Sequence, residues 1–324
     1  MPQTAAVADL VARARGGEPR AVARLISYVE DAAPVLREVT AALAPHAGHA
    51  HVVGLTGAPG VGKSTTTSAL VTAYRERGLR VGVLAVDPSS PFSGGALLGD
   101  RVRMQDHATD AGVFIRSMAA RGHLGGLAAA TPQAIRVLDA AGFDVVLVET
   151  VGVGQSEVEV AAAADTTIVL LAPGMGDGVQ AAKAGILEIG DVFVVNKADR
   201  EGADATAREL RHMLTLGSGP RSGPADDPWS PPVLRTVASS GEGIGEVVAA
   251  LDGHRDWLDR TGSLAARRRS RAEGEIEAIA FGLLRSRIGD LHGDARLESL
   301  AARVVAGETD PYAAADDLVA GLAL

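Results

Sequence analysis

Residues 57 to 64 read Gly-Ala-Pro-Gly-Val-Gly-Lys-Ser, which fits the spacing G-x-x-x-x-G-K-[ST]. Such a stretch can wrap its backbone round a phosphate, because glycines allow the turns that point successive N–H groups inward. Gly57, Ala58, Pro59, Gly60, Val61 and Gly62 would form the cradle, and Lys63 would reach the β- and γ-phosphate oxygens. The Ser64 hydroxyl is a magnesium ligand by type, and Thr65 follows it into a helix whose N-terminus favours an anion. The context supports this reading, since the apolar run HVVGLT precedes the loop and TTTSALVTAYRERG follows it.

Two acids stand where a metal would need them. Glu149 ends the apolar run FDVVLVE and Asp87 ends RVGVLAVD. A carboxylate at the C-terminal edge of a parallel sheet faces the ligand crevice. Glu149 therefore reads as a magnesium-holding group, with Asp87 beside it and Asp100 as a further metal candidate. Lys63, Glu149 and Asp87 are the expected catalytic set. The turn Thr150–Gln155 after Glu149, and the segment from Asp87 through Arg103, read as switches able to sense a γ-phosphate. Arg101 and Arg103 are cationic and could act in cis, although each also suits a plain surface arginine.

Asn196, Lys197, Ala198 and Asp199 follow the apolar run DVFVV and fit N-K-x-D. This arrangement selects guanine. The Asp199 carboxylate would accept from N1–H and the 2-amino group, while adenine would leave a buried acceptor unpaired. The Lys197 stem would cover the base and Asn196 would brace the loop. Val237, Ala238 and Ser239, at the end of the run PPVLRTVAS, are placed to offer backbone N–H to the guanine O6. The expected ligands are GTP or GDP with Mg2+.

Such loops need a scaffold. Seven short apolar runs from residue 51 onward, HVVGLTG, RVGVLAVD, GVFIRSM, FDVVLVET, TTIVLLAP, DVFVVNKAD and PPVLRTVAS, alternate with helical stretches. That pattern predicts a mostly parallel sheet with helices on both faces, an α/β fold of the P-loop NTPase type. Residues 1–45 read as a helical extension, broken at RGGEP and resumed over Ala21–Leu43. The expected GTPase domain runs over 46–260, and 261–324 reads as helix throughout. Gly217–Pro232 is a surface loop by composition.

The 324 residues are 47% apolar, enough for a sizeable core. Without cysteine there is no thiolate chemistry, and a net charge of -9 without a basic stripe argues against nucleic acid. No apolar run nears the roughly 18–20 residues that span a bilayer. The opening residues are too charged for a targeting segment, so a cytoplasmic location is expected. Only three of the 31 basic residues are lysines, Lys63, Lys183 and Lys197, and two of these lie in the nucleotide motifs. The trio His46, His49 and His51 reads as loop polarity before the first strand.

Taken together, GAPGVGKST, VDPSSP, GGALLGDRVRM, ETVGVGQSE, APGMGDGVQAAKAG, NKAD, the PPVLRTVA run and HRDWL resemble the MeaB/ArgK GTPases. The resemblance covers nearly the whole chain and is tightest over about 51–200. It implies the branch of P-loop GTPases that includes signal-recognition and nickel-insertion proteins. It also implies N-terminal helices packed on the core and a C-terminal helical arm forming a homodimer. A third switch would lie at Pro173–Lys183, and the partner would be adenosylcobalamin-dependent methylmalonyl-CoA mutase. The implied role is that of a chaperone which gates cofactor loading and protects or reactivates the mutase. Relatives often carry Ser where this chain has Val237. An older label for the family, a kinase for amino-acid-binding transport proteins, and a regulatory module for another cobalamin mutase stand as alternatives. A nickel carrier would need a Cys/His cluster that this chain lacks.

Overall fold

The structure is a computed structural model that describes residues 2–88, 107, 109–120, 130–150, 162–174, 187–216, 224, 227–288 and 295–320. All seven apolar runs form strands of one sheet. They are β1 (His51–Thr56), β2 (Val81–Pro88), β3 (Val113–Ala120), β4 (Val145–Thr150), β5 (Thr166–Leu171), β6 (Val192–Asn196) and β7 (Val233–Thr236). The order is β3-β2-β4-β1-β5-β6-β7, and every pairing is parallel. All seven C-terminal ends therefore meet along one edge, where β4 ends and the loops after β1 and β6 emerge.

The helices are α1 (Pro2–Arg15), α2 (Pro19–Glu30), α3 (Leu36–Leu43), α4 (Lys63–Glu76), α5 (Thr131–Ala140), the single turn α6 (Leu187–Ile189), α7 (Ala203–Leu216) and α8 (Ile244–Thr261). Strand residues alternate in direction, so each strand feeds both faces. Val53, Leu55, Leu147, Ile168 and Val194 point to one face and pack with Leu70 and Val71 of α4 and Val247 and Leu251 of α8. Val52, Leu84, Val146 and Val148 point to the other, against α1, α2, α3 and α5. Beyond them Val169, Phe193 and Val195 meet Ala207 and Leu210 of α7. Both faces are covered, which is why the strands are almost wholly apolar.

The N-terminal helices owe their place to this burial. On α2, Ala21, Val22, Leu25, Ile26 and Val29 are all buried, and each fully buried Val, Leu or Ile contributes about 1.5–3 kcal/mol. Pro19 starts the helix, where its missing N–H costs nothing. The single helix expected over Ala21–Leu43 is in fact two. Ala32 turns to φ 45 and Pro34 cannot continue a helical ladder, so α2 stops at Glu30 and α3 begins at Leu36.

The chain divides into two compact units, Met1–Ala265 and Ala266–Leu324. The second consists, among its described residues, of most of α9 (Ser263–Ile288) with α10 (Ala295–Val305) and α11 (Pro311–Ala320). Ile276, Ile279, Leu283 and Leu284 of α9 are exposed. No helix among the described residues is long and apolar enough to cross a membrane.

Candidate functional site

The loop leaving β1 is shaped by two glycines. Gly57 has φ 141, and a Cβ there would overlap the carbonyl oxygen of Leu170 on β5. Gly62 has φ 99 and caps α4, and a Cβ there would overlap the Asn196 side chain. Backbone geometry and close approach thus both demand glycine at these two positions. The loop closes on the Lys63 ammonium, which is buried and donates to Gly57 O at 2.7 Å and Ala58 O at 3.2 Å. Pro59, Gly60 and Thr65 lie exposed at the rim, and Val61 is buried beneath it.

Parallel pairing of β1 with β4 sets Glu149 level with Leu55, beside the start of α4. Its carboxylate is 4% exposed and takes two hydroxyl donors: Ser64 Oγ at 2.6 Å and Thr67 Oγ1 at 2.9 Å. A hydroxyl and a carboxylate held together at the phosphate loop form a hard, all-oxygen donor set, and this fits magnesium. Thr67 was missed by the sequence reading. Its signal was its position three residues after Ser64, one turn along the same helical face. Asp87 lies two positions past Ala85, the register partner of Glu149, so its backbone stands at the same sheet edge. Asp100, Arg101, Arg103, Gln155 and the segment 175–186 lie outside the described residues.

The loop after β6 is tied to the phosphate loop twice. Asn196 is 2% exposed and donates Nδ2 to Val61 O at 2.8 Å, while Lys197 donates Nζ to Gly60 O at 2.6 Å. On its other side Asn196 Oδ1 accepts from Thr236 Oγ1 at 3.1 Å and from Ala238 N–H at 3.0 Å. Asn196 is thus a strut joining three loops. The Ala238 N–H, expected to face the base, is engaged with that strut, so any contact it makes with a guanine O6 would be shared. Val237 is half-buried, Ser239 and Asp199 are exposed, and Lys197 is held at φ 58. Asn196→Ala strands a buried carbonyl, hydroxyl and N–H together. Unfolding in urea should show a loss of about 2–4 kcal/mol, with GTP affinity falling in parallel.

At the opposite edge the sequence reading of the histidines needs amending. His51 is not loop polarity but the first residue of β1, buried, with Nε2 2.9 Å from Thr166 Oγ1. Thr166 in turn meets His254 Nδ1 at 2.8 Å, and His254 Nε2 lies 3.3 Å from Asp191. This buried polar chain ties β1, β5, α8 and the start of β6 together below the sheet. No group of three or more His, Asp or Glu suited to a metal occurs among the described residues.

A parallel sheet with a glycine loop after its central strand, an acid on the neighbouring strand and N-K-x-D two strands away defines a P-loop GTPase. Comparison with known proteins narrows the class. A family model described as methylmalonyl Co-A mutase-associated GTPase MeaB matches residues 22–290, and the chain belongs to that family. A Pyrococcus abyssi protein provisionally named a GTPase is 50% identical over 308 residues, covering 95% of this chain and 94% of its own. The GTPase ArgK of Escherichia coli is 38% identical over 268 residues, covering 82% and 80% respectively. A solved structure named LAO/AO transport system kinase superposes with a TM-score of 0.72 at 29% identity, covering 97% of each chain.

Proposed function

We propose that this GTPase uses magnesium-dependent GTP binding and hydrolysis to act as a chaperone of adenosylcobalamin-dependent methylmalonyl-CoA mutase. It would gate cofactor loading and protect or reactivate that enzyme. The observation that carries the partner is the match to the mutase-associated family over residues 22–290. In this reading Gly57 to Thr65 bind the phosphates, with Lys63 supplying the cation. Asn196, Lys197 and Asp199 read the base, flanked by Val237, Ala238 and Ser239. Ser64 and Glu149 would hold the metal, with Asp87 and Asp100 as further candidate ligands by type. The metal, when bound, supplies positive charge to the γ-phosphoryl oxygens. The protein's part is to orient: Thr67 fixes the second carboxylate oxygen of Glu149, and the Asn196 strut keeps base and phosphate loops in register.

A homodimer accompanies this reading. Ile276, Ile279 and Leu283 repeat at helical spacing on α9 and are exposed, an apolar stripe suited to a second copy. One preparation tests both ideas. Steady-state GTPase should be slow alone, rise on adding the mutase of the same organism, and be absent with ATP. Light scattering should give twice the chain mass of 33.0 kDa. A GTP-only rate indifferent to the mutase leaves the hydrolase and removes this partner, pointing to another cobalamin mutase; a monomer removes the dimer. The name of the solved relative favours a second reading, phosphoryl transfer to a transport protein. Labelled γ-phosphate appearing on a protein acceptor would support that reading instead.

A further inference from the structure

At the N-terminal edge of the sheet, opposite the phosphate loop, a cavity of about 520 Å³ opens in the first unit. Its walls are the end of α4, α8, the loop entering β1 and the turn between α5 and β4. The deep end is formed by Tyr74, Phe143 and Val145, all buried. Towards the mouth stand Arg15 and His49, both exposed, and His46, half-buried.

Two observations indicate that this space is built for a ligand. The first is Tyr74, 1% exposed, whose hydroxyl has no hydrogen-bond partner among the described residues. Burial, reinforced by nearby Asp252, pushes its ionisation well above the ordinary range, so it stays a donor. A buried hydroxyl with nothing to bond is costly, and proteins rarely leave one so. The second is the state of the charges. Every carboxylate lining the cavity is already engaged. Asp139 accepts the N–H groups of Gly48, His49 and Ala50, Asp144 accepts from Arg80 N–H at 2.7 Å, and Asp252 pairs with Arg77 at 2.8 Å. Arg255 donates to His49 O at 3.0 Å. The side chains of Arg15, His46 and His49 have no polar partner among the described residues. The open groups can therefore all offer a donor to an anion: a guanidinium, two imidazoles and a phenol.

We propose that this cavity binds a small organic anion, its carboxylate or phosphate group at Arg15, His46 and His49, its apolar body against Phe143, and an acceptor atom at Tyr74 Oη. The site is separate from the nucleotide site, at the other end of both β1 and α4.

The chain has three tyrosines, Tyr28, Tyr74 and Tyr312, which makes fluorine spectroscopy decisive. Full-length protein labelled with 3-fluorotyrosine and saturated with GDP and magnesium keeps the phosphate loop filled. Tyr74→Phe assigns the reporting signal and leaves the ring in place. The probes are 6-oxoheptanoate for carboxylates, hexyl phosphate for phosphate esters, and 2-heptanone as the uncharged control. One anion should shift the Tyr74 signal saturably while Tyr28 and Tyr312 stay still, and which anion does so identifies the group. Arg15→Gln should weaken that binding about tenfold, with His49→Gln as a second variant at an exposed position. The proposal is overturned if 2-heptanone shifts Tyr74 as strongly, if all three signals move together, or if Tyr74 is still unmoved at roughly 10 mM of either anion.

Discussion

Lys63→Ala should cut GTP affinity by about 100- to 1,000-fold, enough to leave the protein empty at micromolar nucleotide. The ammonium is 6% exposed and folded into the loop, bonded to Gly57 O and Ala58 O. In the proposed complex it exchanges those neutral acceptors for phosphate oxygens. Hydrogen bonds to charged groups are worth about 1.5–3 kcal/mol each, so losing two at the lower end of that range, about 3–4 kcal/mol, gives a loss of that order. The truncation also leaves two loop carbonyls without their donor, so the loop itself should loosen. Lys63→Arg separates charge from shape. It keeps the cation, but a planar guanidinium does not fit a space built for a compact ammonium, and affinity should recover only in part. Fluorescent-nucleotide titration measures both variants. Wild-type affinity in Lys63→Ala would remove this loop from the nucleotide site.

Asp199→Asn should exchange the preferred base. In the proposed role the carboxylate accepts from both N1–H and the 2-amino group of guanine. An amide offers one acceptor and one donor, so its NH2 would face the guanine amino group, donor against donor. GTP affinity should fall about 100- to 1,000-fold, and xanthosine triphosphate, which carries an oxygen at that position, should gain by a comparable factor. The backbone should not collapse. Asp199 is exposed, and the loop is held by its neighbours: Ala198 N–H to Thr236 O at 3.0 Å, Asn196 to Val61 and Lys197 to Gly60. Competition between the two triphosphates measures the change. Unaltered GTP affinity in this variant would show that the base is read elsewhere.

Both predictions concern residues whose spacing in the sequence was enough to single them out. Each motif is a continuous stretch at a strand end, and each strand declared itself as a short run rich in Val, Leu and Ile. The seven strands and their parallel sense were legible for that reason. Contacts made at long sequence separation were not. Thr67 meets Glu149 and His51 meets Thr166 only once β1 lies between β4 and β5. Before folding, Thr67 is one of three consecutive threonines and His51 one of several histidines in a polar stretch. The double role of Asn196 was half legible. A bracing function follows from the motif, but its partners Val61 and Ala238 come from loops that only the sheet brings together. The break between α2 and α3 had a local cause in Pro34, which an apolar periodicity passing through both helices concealed.

The central place of β1 also bears on how the chain is made. β1 ends at Thr56, yet its two sheet neighbours begin at Val145 and Thr166. On a ribosome adding about 5–20 residues per second, roughly 4–18 s pass between completion of β1 and arrival of β4. Throughout that interval the strand that will carry the phosphate loop has no native partner, although its six residues are all buried in the finished fold. β2 and β3 follow each other sooner and can pair first. The middle of the sheet can thus be assembled only after one of its edges, and the nascent chain must keep this apolar strand sheltered until β4 arrives between them.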